Sequence, residues 1–126
     1  MTVLRQPATM GDVLKYEVNP NFTRESVTLL AGINYPVGAV LGRITASGKH
    51  KLATSGGSDG AQTAAAVLLY AVDATGADAI GVVIVRGPAI ISKGTLVFDP
   101  TVDDAAKTAT KHGQLAALGI IPRDTA

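Results

Sequence analysis

The chain has 126 residues, 47% hydrophobic but only 4% aromatic, with no Trp and no Cys. That length suits one domain with a core of Val, Ile, Leu and Ala, and the absence of cysteine removes disulfides, thiolate nucleophiles and Cys-based zinc sites. A formal net charge of +1 with 17% charged residues gives no electrostatic footprint for nucleic acid, and three Tyr and two Phe offer no stacking platform for bases.

Residues 1–34 read as an extended N-terminal arm. Met1 to about Arg24 is polar and irregular, interrupted by Pro7, Gly11 and Pro20. No stretch of it is apolar enough for a signal peptide. Glu25 to Leu30 then alternates polar and apolar residues, the period of a half-buried strand. Residues 35–126 read as a β-rich domain. Val37 to Ile44 is its first strand, Ser47-Gly48 a turn, and Lys49 to Ala53 the returning arm of a hairpin. Ser55 to Gly60 is a flexible loop.

Ala65 to Val72 and Ala79 to Arg86 are the most buried candidates, and both are far short of the ~20 residues of a membrane span. Their β-branched residues favour strands, although the alanines leave a helix open for the first. Ala89 to Ile91 and Thr95 to Phe98 follow as short strands. The last element, about residues 101–118, is a helix. Thr101 and Asp104 resemble a capping box, Asp103 and Lys107 form an i,i+4 pair, Gly119 sits at C′, and Pro122 prevents continuation. The expected class is α+β, mainly β: a small curved sheet or partial barrel of short strands, with one C-terminal helix and the arm.

No catalytic constellation is expected. His50 lies in the basic turn Gly48-Lys49-His50-Lys51 and His112 beside Lys111, and both read as solvated surface residues. Neither belongs to an i,i+4 metal pair, so no metal and no cofactor is expected. Gly42 to Lys49 fails as a phosphate loop, because five residues separate its glycines and His50 replaces the hydroxyl that binds magnesium. Asp73 and Asp78 read as turn chemistry. Asn21-Phe22-Thr23 matches a glycosylation acceptor, but nothing directs the chain to secretion. The lack of disulfides instead favours synthesis in a cytoplasm.

The ordered features resemble the phage head-decoration proteins of the lambda D type. The resemblance rests on Phe22-Thr23-Arg24-Glu25-Ser26-Val27-Thr28-Leu29-Leu30-Ala31-Gly32, followed by Val37 to Gly42 and Asp59-Gly60. Ala65 to Leu69 with Val72-Asp73, Val85 to Ala89, Leu96, and Leu118-Gly119-Ile120 complete it, over roughly Phe22 to Arg123. Phe98-Asp99-Pro100 departs by carrying Phe where relatives are expected to carry Trp, which keeps an aromatic.

The resemblance implies a non-enzymatic cementing protein, made late in infection in the host cytoplasm. It would bind the outer surface of the expanded head as a homotrimer at three-fold sites and stabilise it against internal DNA pressure. Its partners would be the major capsid protein and itself, with no direct nucleic-acid or membrane contact. The capsid-binding residues it implies are Phe22, Thr23, Arg24, Glu25, Ser26, Val27, Thr28, Leu29 and Leu30, acting partly by strand addition. The alternatives are a small ligand-binding β-barrel using the Ser55–Gly60 loop, or another virion subunit such as a tail-tube protein.

Overall fold

A computed structural model describes residues 9–124. Two single-turn helices, α1 (Met10–Val13) and α2 (Pro20–Thr23), flank strand β1 (Leu14–Glu17). Strands β2 (Arg24–Leu29), β3 (Asn34–Tyr35), β4 (Val40–Arg43), β5 (His50–Leu52), β6 (Ala64–Leu68), β7 (Val72–Asp73), β8 (Ala79–Ile84) and β9 (Ala89–Ser92) follow. Helix α3 (Ala105–Ala117) and strand β10 (Ile120–Arg123) end the chain.

The mainly β class expected from the sequence is observed. Its main sheet is curved so strongly that five strands meet in the order β2-β5-β4-β6-β8. The last junction, between β2 and β5, consists of the single pair Leu29 and His50. A second sheet, β1-β9-β10, and the pair β3-β7 lie outside this ring.

Strand periodicity explains how the two cores arise, because successive side chains point to opposite faces. Leu41, Ala66, Leu68 and Val83 join Leu29 in one cluster, to which every strand of the ring contributes, so it fills the interior. Their neighbours Val40, Val67 and Ile84 point outward and pack with Val13, Ile91, Leu115 and Ile120. Strands β4, β6 and β8 are thus buried on both faces, which is why Ala64–Leu68 reads as an unbroken apolar run. The ambiguity between helix and strand there is resolved as strand.

Several expectations are corrected. From Thr9 onward the arm is part of the folded body: Val13 and Leu29 are fully buried, and β1 and β2 are paired strands. Residues 1–8 lie outside the described residues. Thr95 to Phe98 is a 3-10 turn (Lys93–Thr95) followed by a single bridge, Ala39 with Val97.

Helix α3 begins later than expected, because Asp104 is its N-cap and accepts from the Lys107 N–H at 2.8 Å. Thr101 instead serves a turn, receiving the Ser55 N–H and donating to Asp99. The Asp103–Lys107 pair forms, at 2.8 Å. Gly119 takes φ +83 after the helix, as a C′ residue should. Beyond it the chain forms β10, a strand the sequence did not signal. The Ala89 N–H bonds the Gly119 carbonyl, so odd-numbered residues of β10 face β9 and Pro122 turns its missing donor to the open edge.

Both histidines are misplaced by the surface reading. His50 is buried, and His112 is half-buried with its ring 5.9 Å from that of Phe98. Burial lowers the pKa of each. Lys111 is buried too, its ammonium donating to the Gln62 carbonyl and to Gln114 Oε1, and burial lowers its pKa as well.

Gly42 shows what the tight curvature demands, since a Cβ there would collide with the Ala61 backbone. Gly42→Ala should therefore cost about 1–3 kcal/mol in a denaturation experiment. Gly56→Ala, with nothing near its Cβ, should stay within about 0.5 kcal/mol.

Candidate binding surface

The expected binding segment starts in α2, where Asn19 caps the turn by accepting the Asn21 N–H at 2.9 Å. Phe22 is exposed, with the Arg86 guanidinium 5.3 Å from its ring centre. Arg86 also donates to the Phe22 carbonyl and pairs with Glu25 at 3.3 Å.

Thr23 and Arg24 face the other way, onto Glu17. The Thr23 hydroxyl donates to Glu17 at 2.6 Å, and Arg24 Nε does so at 3.0 Å. Burial alone would raise the Glu17 pKa, but the hydrogen bonds from Arg24 and Thr23 outweigh it and leave the carboxyl below its ordinary value.

The rest of the segment divides by the geometry of β2. The Thr23 carbonyl accepts from the Val85 N–H, so Glu25, Val27 and Leu29 exchange backbone bonds with Val83, Gly81 and Ala79 of β8. Arg24, Ser26 and Thr28 turn their backbone groups to the opposite edge; the Arg24 N–H there bonds the Pro20 carbonyl, and among the described residues no strand takes the Arg24 carbonyl, the Ser26 N–H and carbonyl or the Thr28 N–H. That edge closes at the Leu29–His50 pair, where the Thr28 carbonyl takes the His50 N–H and the Leu30 N–H bonds the His50 carbonyl at 2.8 Å.

The side chains sort likewise. Leu29 and the partly buried Val27 pack in the interior, Thr23 is buried, and the Leu30 carbonyl accepts from the Tyr35 hydroxyl at 2.7 Å. Phe22, Glu25 and Ser26 are exposed, and Arg24, Thr28 and Leu30 partly so.

A second surface was not foreseen. On the outer face of β1-β9-β10, Tyr16 and Ile121 both stand opposite Ile90 and are half-exposed. Val18, two residues after Tyr16, is exposed and bonds the Pro88 carbonyl. Alternation at Tyr16 and Val18 was the available signal, but it is too short to stand out beside Pro20.

An apolar groove of about 410 Å³ runs between Pro36, Val37, Ala71, Leu96 and Val97. Among the described residues no charged side chain lines it, and the Ser55–Gly60 loop takes no part in it. Among the described residues, no three His, Cys, Asp or Glu side chains gather as metal ligands.

A β-rich domain with an open strand edge and exposed apolar residues has the features of a protein built to associate with other chains. The family model for bacteriophage lambda head decoration protein D matches residues 3–120 of the chain. The chain belongs to that family: it is a phage head decoration protein, a structural component of the virion associated with the capsid. Among curated proteins no relative matches.

The Glu17 clamp should matter to the segment's shape. Glu17→Gln is expected to lower stability by about 1–3 kcal/mol near pH 7. A carboxyl whose folded pKa lies below its ordinary 4.5 stabilises above that value and loses its contribution as pH falls through the folded pKa. The difference between Glu17→Gln and the unaltered protein should therefore shrink below pH 4.5, as denaturation at several pH values would read.

Proposed function

We propose that the protein cements the expanded head from outside, as a homotrimer at three-fold sites, and stabilises the shell against the pressure of packaged DNA. The major capsid protein is its partner, and Phe22 to Leu30 is the segment that meets it. The observation that carries this reading is the open edge of β2 from the Arg24 carbonyl through Ser26 to the Thr28 N–H, in a chain of the decoration family. Unpaired strand N–H and C=O groups are a template for an extended partner segment.

Within the segment the residues have different roles. The Arg24 carbonyl, both backbone groups of Ser26 and the Thr28 N–H offer the edge, while Phe22 and Glu25, with Arg86, give exposed side-chain contacts at its start. Thr23, Val27, Leu29 and Leu30 hold the edge in place from the interior side. A single short edge binds weakly, and three copies joined in a trimer multiply it by raising the effective concentration of the second and third contacts.

Ser26→Pro isolates the edge. The Ser26 N–H is not part of the β8 ladder, so proline there removes only the outward donor. The variant should keep its fold and trimer mass but bind expanded heads at least about tenfold more weakly. Heads mixed with the unaltered protein should rupture at higher temperature than bare heads, and those mixed with Ser26→Pro should not. Undiminished binding by a folded Ser26→Pro would contradict the role of the edge, and unchanged rupture with the unaltered protein would contradict cementing itself.

A further inference from the structure

The junctions of the barrel are unequal. Strand β2 shares six register pairs with β8 but one with β5, so the β2–β5 seam is the place where the ring opens most easily. Two contacts reinforce that pair. The Leu30 N–H bonds the His50 carbonyl at 2.8 Å, and the Asp78 carboxylate ties the two sides by accepting the Ala31 N–H at 2.8 Å and pairing with Lys49 at 2.6 Å.

The residue at the centre of the seam is poorly suited to carry a charge. His50 is 5% exposed, and its Nδ1 has no hydrogen-bond partner among the described residues. Arg43 from β4 faces it with a positive charge, Glu25 from β2 with a negative one, and the Gly48 backbone approaches from the turn. The Lys49–Asp78 pair closes the same end.

We propose that the β2–β5 seam is an acid-operated closure, in which protonation of His50 parts β5 from β2 and extends the open edge of β2 from Thr28 to Leu30. A charged imidazole here is disfavoured by its burial and by Arg43, and Glu25, itself exposed and bound to Arg86, offsets them only in part together with the Gly48 backbone. Swinging the ring to water removes both penalties at the loss of one strand pair. The effect on docking rests on the reading of β2 given above; the opening of the seam does not.

The sign follows from the direction of the shift. Burial first, then Arg43, holds the folded pKa of His50 below its ordinary 6.5, so the open form binds the proton more tightly. The closure is at full strength above pH 6.5 and weakens as pH falls below it. Asp78 yields separately and later, since Lys49 and the Ala31 N–H keep its pKa below 3.8.

Hydrogen exchange on the free protein tests this. The protection factor of the Leu30 amide should fall by up to about tenfold per pH unit below pH 6.5, while the amides of Glu25 and Val27 in the β2–β8 ladder keep theirs. In His50→Asn the dependence of Leu30 on pH should vanish. A pH-independent Leu30, or an equal fall in a folded His50→Asn, overturns the proposal.

A second readout needs no variant. The His50 ring, followed by its own proton shifts, should titrate over the range in which Leu30 loses protection, and titration over a separate range also overturns it. Neither measurement involves heads, so the seam and the docking of β2 succeed or fail independently.

Discussion

The barrel wall is apolar on both sides, and most of the architecture follows from that. Strands β4, β6 and β8 send Leu41, Leu68 and Val83 inward and Val40, Val67 and Ile84 outward. An exposed outer row of that kind would be an aggregation surface, so the rest of the chain has to cover it. Leu115 from α3, Ile91 and Ile120 from the small sheet, and Val13 from the N-terminal turn do so. Small aliphatic side chains suffice because the elements approach closely, as at Gly42 against Ala61. The same demand draws the N-terminal residues into the body, since without Val13 and β1 one side of the outer core would face water.

Much of this was legible in the sequence where a pattern is local. Alternation over Glu25 to Leu30 marks β2, the Ser47-Gly48 turn marks the β4–β5 hairpin, and Gly119 marks the end of α3. What failed depends on contacts between distant segments. Leu14 to Glu17 forms a strand because β9 offers an edge, and Ile120 to Arg123 because β9 has a second one. His50 and Lys111 stand among polar neighbours in the chain, yet the seam and the packing of α3 bury them. Pro122 does bar continuation of the helix, but the same proline fits an edge strand with its nitrogen facing outward, which no local pattern signals.

The proposed binding segment was legible as a strand but not as a divided one. Sequence alternation separates the faces of a strand and says nothing of its two edges. Pairing with β8 occupies one edge of β2, and among the described residues the other stays open from the Arg24 carbonyl to the Thr28 N–H. Thr23 and Leu29, equal members of the segment on sequence grounds, are buried supports for their exposed neighbours. The Glu17 clamp on Thr23 and Arg24 fixes where that edge begins.

The account therefore turns on whether the open edge of β2 is where the head is met. Amide exchange compared between the free protein and the protein on expanded heads addresses this directly. The Ser26 and Thr28 amides, unpaired among the described residues, should exchange rapidly in the free protein and become protected on the head. If they stay rapid on the head while protection appears elsewhere, another surface makes the contact and the account of β2 is wrong.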